Sequence, residues 1–177
     1  MANYLLDTNI LSYWYNPRSP EYAKVLARLQ AVRQPDPQTG YVPRLYVSVV
    51  TIGEIEYGYK ANPAMSLSEQ SNFVEFLRGE CPEPYPITEH VGEHYGALKA
   101  WLFDTFSPKD MRTKAKRLSQ LVDPVSAEAL GVDENDLWIA AQAMTFGFVL
   151  VTHDSRGNFG KLQSHFSPTL RVDDWAQ

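Results

Sequence analysis

Four carboxylates in this chain accompany short apolar segments of the kind that form buried strands. Asp7 follows the segment Y-L-L, and Asp154 comes just beyond F-V-L-V-T. Glu54 lies one turn into the helix predicted after L-Y-V-S-V-V, and Asp136 lies in the first turn of the helix before the last long strand. Because open α/β sheets bind ligands at the carboxyl ends of their strands, we expect all four acids to converge at one edge.

Acids gathered in this way require a compensating cation, since protonation is a poor remedy for their repulsion at neutral pH. Mg²⁺ or Mn²⁺ takes oxygen ligands, keeps several waters and binds phosphate oxygens. Such an ion activates water and stabilises the charge that grows during an in-line phosphoryl displacement. The sequence offers no histidine or cysteine cluster for zinc and no glycine-rich phosphate loop. The acids therefore predict a Mg²⁺ or Mn²⁺ site.

Each acid, taken singly, also has a purely structural interpretation. Glu54 with Thr51 fits a capping box at the start of a helix, and Asp136 would complement a helix dipole. Asp154 suits a turn, and Asp7 suits the cap of the next helix. The functional interpretation rests on all four acids occurring at the same kind of junction.

The elements that must position these acids alternate between strands and helices. Further helices are predicted over about 21–32, 66–78 and 89–103, and short strands at 86–88 and 170–172. This alternation predicts a three-layer α/β/α sandwich around a mostly parallel sheet of four or five strands.

Length and composition agree with one domain in a reducing compartment. The chain has 177 residues and one cysteine, Cys81, so no internal disulfide can form. Neither a signal peptide nor a membrane span is predicted, and we expect a cytoplasmic protein. The net charge of −5 argues against a nucleic-acid binder unless several of the acids bind a metal.

The four acidic segments resemble the four motifs of PIN domains, in the right order and over nearly the whole chain. These segments are L-L-D-T-N at 5–9, S-V-V-T-I-G-E-I-E-Y-G at 48–58, E-N-D-L-W-I-A-A at 134–141 and L-V-T-H-D at 150–154. The likeness is greatest to VapC-type toxin ribonucleases of VapBC toxin–antitoxin pairs. This resemblance implies a metal-dependent endoribonuclease that acts on RNA, forms a homodimer and is inhibited by a cognate VapB-type antitoxin whose tail enters the site.

Carried over position by position, the resemblance assigns roles to six residues. The metal ligands and catalytic acids would be Asp7, Glu54, Asp136 and Asp154, with Asp7 and Asp136 as the principal ligands. Asn9 and Thr152 fall on polar positions that would support the ligands or the attacking water.

The chain is longer than compact members of that family, with extra residues near 30–44 and 104–132. The second segment is predicted to contain an amphipathic helix, with Met111, Ala115, Leu118 and Val122 on its apolar face. Its other face carries Lys109, Arg112, Lys114, Lys116 and Arg117. A solvated helix face is favoured for this basic run over a contact with the RNA backbone.

Two other functions differ from the nuclease in the acids that they require. A non-catalytic PIN-like module that binds RNA or protein would lack one of the four acids, and none is lacking. A phosphatase of the haloacid dehalogenase type would carry a second acid where this chain has Asn9. No role is predicted for His153. Trp14, Trp101 and Trp138 are predicted in the core, and the tyrosines at 13, 15, 57 and 59 on a partner surface.

Overall fold

The described part of the chain contains four short strands and seven α-helices, joined by loops and one 3₁₀ turn. The computed structural model describes residues 2–62, 67–107, 117–154 and 158–177. The elements are β1 (Tyr4–Leu6), α1 (Thr8–Tyr15), α2 (Tyr22–Val32), β2 (Leu45–Val47), α3 (Val49–Ala61), α4 (Leu67–Glu80), α5 (Glu89–Phe106), α6 (Glu134–Phe146), β3 (Val149–Val151), α7 (Asn158–Phe166) and β4 (Arg171–Asp173). None of the described helices is long and apolar enough to cross a membrane.

The strands form one parallel sheet in the order β2-β1-β3-β4. Leu5 of β1 lies opposite Leu150 of β3, and both side chains are fully buried. Because the strands are parallel, the residues that follow β1, β2 and β3 all leave the sheet at the same edge. The predicted convergence of Asp7 and Asp154 depends on this topology.

Alternation along the strands divides the core into two clusters, one on each face of the sheet. Leu5 and Leu150 face α5, α6 and α7. Leu6 and Val151 face the other cluster, to which α1, α2, α3 and α4 contribute. These layers confirm the predicted three-layer α/β/α sandwich, with four strands in the sheet.

The helix α6 connects the acidic edge to the interior. Asp133 caps its first turn, and Gly147 ends it in the left-handed conformation at φ 65°. Between these ends seven of the thirteen residues are buried, including Leu137, Ile139 and Ala140. A side chain in the first turn of α6 is therefore held by a helix that packs against α5, α3 and β3.

The start of α3 differs from the prediction in a way that bears on Glu54. Strand β2 ends at Val47, and Ser48 caps the helix by accepting a hydrogen bond from the backbone N–H of Val50. Thr51 is not the cap, so the predicted capping box with Glu54 is wrong. Both residues lie inside α3, and helix capping does not explain the position of Glu54.

The strand predicted at 86–88 is also wrong. The structure shows a single bridge there, between Ser48 and Tyr85. Pro86 has no N–H for a strand ladder. The carbonyls of Tyr85 and Pro86 instead accept hydrogen bonds of 3.0 Å from the buried side-chain amide of Gln142.

The described part of the second extra segment is not the α-helix that was predicted. Residues Leu118–Gln120 form one 3₁₀ turn, and Val122 pairs with Ala129 in an isolated antiparallel bridge. The Asp123 carboxylate accepts from the backbone N–H of Val125 and so closes a turn that a helix could not contain. Residues 108–116, with most of the basic run, lie outside the described ranges. The assignment of 30–44 and 104–132 as atypical insertions stays a prediction.

Candidate active site

Asp7 lies at the carboxyl end of β1 and caps α1. Its side chain is only 8% exposed. One carboxylate oxygen, Oδ1, accepts the backbone N–H of Thr8 at 2.7 Å. The other, Oδ2, accepts the Thr152 hydroxyl at 2.6 Å and the Asn9 amide at 3.0 Å. A buried acid is thus held by three donors, which offset part of the cost of removing its charge from water.

Asn9 and Thr152, the two polar motif positions, both lie beside Asp7. The Asn9 amide also donates to the Thr152 hydroxyl at 3.2 Å, and its carbonyl oxygen accepts the backbone N–H of His153 at 3.0 Å. The two residues therefore join the first turn of α1 to the end of β3. His153, for which no role was predicted, places Nδ1 2.8 Å from Asp174 Oδ2.

Glu54 reaches the same region from α3. Its Oε2 accepts the hydroxyl of Thr8 at 2.5 Å, and its Oε1 accepts the side-chain amide of Asn135 at 2.9 Å. One carboxylate therefore connects α1, α3 and α6. The sequence pattern did not indicate these contacts, because Asn135 lies 81 positions from Glu54 and has an unremarkable side chain for a helix start.

Asp136 lies in the first turn of α6 and takes part in a reciprocal cap. Asp133 Oδ1 accepts the backbone N–H groups of Asn135 and Asp136, at 2.8 and 3.0 Å. In return Asp136 Oδ2 accepts the backbone N–H of Asp133 at 2.8 Å. The structural interpretation of Asp136 is therefore correct in part, but one of its two oxygens is not used in the cap.

Asp154 follows β3 and Thr152 at the same edge of the sheet. Its Oδ2 accepts a long hydrogen bond of 3.4 Å from the backbone N–H of Phe159, in α7. The residues between them, 155–157, lie outside the described ranges.

The pKa values of Asp7 and Asp136 respond to the charges of neighbouring acids. Burial raises the pKa of Asp7, hydrogen bonds from Thr152 and Thr8 oppose the rise, and the charges of Glu54 and Asp133 add to it. Burial raises the pKa of Asp136 to about 7, with further contributions from the charges of Asp133, Asp7 and Asp154. The four predicted acids therefore share one electrostatic environment.

Asp133 is a fifth acid at this edge, and the sequence interpretation did not include it. Its charge acts on both Asp7 and Asp136. The signal that was available was the spacing D-E-N-D, in which an acid three positions before Asp136 fits a helix cap. A capping residue whose helix begins at the sheet edge necessarily lies beside the acids gathered there.

The donor set fits a hard divalent cation that keeps most of its waters. Within the described ranges, no three His, Cys, Asp or Glu side chains form a ready-made ligand group. Mg²⁺ usually binds proteins through one or two carboxylates, with water and substrate phosphate completing its shell. Asp7 and Asp136 meet that requirement: burial, together with the charges of neighbouring acids, raises both pKa values, and a cation would favour the ionised carboxylates.

The aromatic residues singled out in the sequence have different environments. Trp14 is buried, whereas Trp101 and Trp138 are half-buried and stack on His165 and Tyr95. Among the four tyrosines predicted on a partner surface, Tyr57 is 74% exposed. The other three, at 13, 15 and 59, are half-buried.

Comparisons with known proteins agree with this geometry. The family model of the PIN domain matches residues 4–163. VapBC2 from Rickettsia felis bound to a promoter DNA fragment has 19% identity and a TM-score of 0.63, over 97% of this chain and 98% of that one. VapBC-1 from nontypeable Haemophilus influenzae has 23% identity and a TM-score of 0.64, over 98% of each chain.

DNA-bound VapBC from Salmonella typhimurium is also similar, with 20% identity and a TM-score of 0.62 over 99% of each chain. At these identities the likeness establishes the fold. The comparison with curated proteins gives no match.

Proposed function

Because the chain belongs to the PIN domain family, we propose that it is a metal-dependent endoribonuclease that hydrolyses phosphodiester bonds of RNA. We further propose that it acts as the toxin of a type II toxin–antitoxin pair in the cytoplasm. The observation that carries the proposal is the gathering of acids at one edge of the sheet, where burial together with the charge of Glu54 raises the pKa of Asp7, and burial together with the charges of Asp7 and Asp154 raises the pKa of Asp136.

In this proposal Asp7 and Asp136 are the principal ligands of Mg²⁺ or Mn²⁺, and Glu54 and Asp154 complete the site. A bound ion would supply an activated water and would stabilise charge on the phosphate. Neighbouring side chains hold the proposed ligands in place. Thr152 and Asn9 keep Asp7 oriented through its Oδ2, and the Thr152 hydroxyl favours the ionised carboxylate that a cation requires.

A VapB-type antitoxin is the proposed partner, and the active form is proposed to be a homodimer. Support comes from the three similar structures, each described as a VapBC assembly. The test is co-expression with the product of the neighbouring reading frame. Co-purification, with inhibition of RNA cleavage, is expected, and light scattering of the isolated chain should give the mass of a dimer.

The decisive experiment is cleavage of a structured RNA by wild type, Asp7→Asn and Asp136→Asn. We expect cleavage with Mg²⁺ or Mn²⁺, none in EDTA, and a loss of more than about 100-fold in either variant, beyond the range for outer-shell partners. Glu75→Gln, on the exposed side of α4, is the matched control and should keep full activity. RNA binding without cleavage by wild type would instead support a non-catalytic PIN-like module.

A further inference from the structure

Glu54 accepts hydrogen bonds from Thr8 and Asn135, which are adjacent in sequence to Asp7 and Asp136. The hydroxyl that donates to its Oε2 belongs to Thr8, which directly follows Asp7. The amide that donates to its Oε1 belongs to Asn135, which directly precedes Asp136. The Glu54 carboxylate therefore spans the gap between α1, which Asp7 caps, and α6, whose first turn contains Asp136.

Both donors are fixed at their backbones as well as at their side chains. The N–H of Thr8 donates to Asp7 Oδ1 at 2.7 Å, and the N–H of Asn135 donates to Asp133 Oδ1 at 2.8 Å. Because threonine and asparagine have short side chains, the distance between each backbone and the Glu54 carboxylate can change little without breaking a hydrogen bond. A change in the separation of α1 and α6 would break one of the two bonds to the Glu54 carboxylate.

We propose that Thr8 and Asn135 are positioning residues, which hold Glu54 and through it set the spacing of Asp7 and Asp136 for a divalent ion. The inference rests on the proposed metal-dependent function. In this inference Glu54 fixes the distance between α1 and α6, in addition to any contact with the ion. Outer-shell partners of metal ligands commonly contribute about 10–100-fold to metal affinity or activity.

Mn²⁺ binding, measured by calorimetry without RNA, tests the inference directly. Thr8→Val keeps the shape of the side chain and removes its hydroxyl, and Asn135→Ala removes the amide. Each should weaken Mn²⁺ affinity by about 10–100-fold. Thr8→Ser keeps the hydroxyl and should stay within about threefold of wild type, since typical second-shell losses begin near tenfold. Wild-type affinity in Thr8→Val and Asn135→Ala, or equal losses in Thr8→Ser and Thr8→Val, would overturn the inference.

Two hydrogen bonds of the same chemistry elsewhere in the chain supply matched controls. The Thr39 hydroxyl donates to Asp36 at 2.8 Å in an exposed loop, and the Gln70 amide of α4 donates to Glu56 of α3 at 2.8 Å. Thr39→Val and Gln70→Ala should bind Mn²⁺ as wild type does. Thermal unfolding in EDTA identifies any variant whose fold has changed.

A double-mutant cycle with Glu54→Ala separates positioning from other effects. If Thr8 acts through Glu54, Thr8→Val should cause little further loss of Mn²⁺ affinity once Glu54 is alanine. A full additional loss would overturn the inference. If wild type binds Mn²⁺ but leaves RNA intact, the nuclease proposal is wrong and the positioning role of Thr8 and Asn135 stands. If Thr8→Val and Asn135→Ala bind Mn²⁺ as wild type does, the positioning role is wrong and the nuclease proposal stands. If wild type binds no Mn²⁺, both proposals are wrong.

Discussion

The hydroxyl of Thr152 donates a 2.6 Å hydrogen bond to Oδ2 of Asp7, across 145 positions of sequence. Thr152 is 3% exposed and Asp7 is 8% exposed, so the bond is shielded from water. It joins the carboxyl ends of β1 and β3, the two central strands. The orientation of the acid that we propose as a principal ligand therefore depends on a neutral side chain from a distant part of the chain.

Replacing Thr152 by valine should destabilise the metal-free protein by about 1–3 kcal/mol, the cost of leaving a buried carboxylate oxygen without one of its donors. The pKa of Asp7 should rise further, because the Thr152 hydrogen bond lowers it. Urea unfolding in EDTA measures the first effect. Thr152→Ser keeps the donor and serves as control, and equal stability of the valine and serine variants would contradict the prediction.

The metal-free protein should lose stability as the pH rises from about 4 to about 7. The folded pKa of Asp136 is about 7, whereas an unfolded aspartate titrates near about 3.9. Between these values the folded state binds the extra proton, so its stability is greatest at the acid end and declines as pH approaches the folded pKa. Asp7 shifts in the same direction.

Asp136→Asn removes this titration and is the matched variant. In EDTA it should be more stable than wild type at pH 8, and its stability should vary less between pH 4 and pH 7. Urea unfolding at several pH values measures both slopes. A wild-type stability that rises with pH over that range would contradict the raised pKa of Asp136.

Divalent ions should reverse the order of stability between these two proteins. A ligand that binds only the folded state stabilises it by about 2.7 kcal/mol at 100 times its dissociation constant. Saturating Mn²⁺ should therefore raise the unfolding temperature of wild type and leave that of Asp136→Asn nearly unchanged. An equal shift in both proteins would place the ion elsewhere.

The segment between α5 and α6 should prove to be part of the core. Leu130 is 3% exposed and packs in the same cluster as α5 and α6, whereas Val125 in the same segment is 94% exposed. Leu130→Ala should cost about 2–5 kcal/mol of unfolding free energy, and Val125→Ala about zero. Chemical denaturation of the two variants provides the comparison, and similar losses would refute the assignment.

The layers, and the placement of Asp7 and Asp154 beyond buried strands, could be predicted from the sequence because both are encoded locally. Apolar segments before Asp7 and Asp154 mark buried strands, and the alternation with helices defines a parallel sheet. The contacts of Glu54 with Thr8 and Asn135 were beyond prediction, since they depend on how α1, α3 and α6 pack. The cap of α3 was misplaced because Ser48 and Thr51 are both good capping residues, and only the true end of β2 decides between them.

The prediction of an amphipathic helix in the segment after α5 was wrong for a different reason. Its apolar residues recur at helical intervals, yet among the described residues Leu118 lies in a 3₁₀ turn and Val122 in an antiparallel bridge, just before the turn that the Asp123 carboxylate closes. Spacing alone does not show whether buried leucines belong to a helix or to an irregular chain that covers the same core.

The reciprocal cap at the start of α6 makes the backbone amide of Asp133 a reporter for NMR spectroscopy at this edge of the sheet. The backbone amide of Asp133 donates to a carboxylate oxygen of Asp136, so its chemical shift and its exchange with solvent deuterium follow how that oxygen is engaged. If a divalent ion binds Asp136 as proposed, its binding should shift this one amide resonance, so that binding can be followed without RNA and without cleavage.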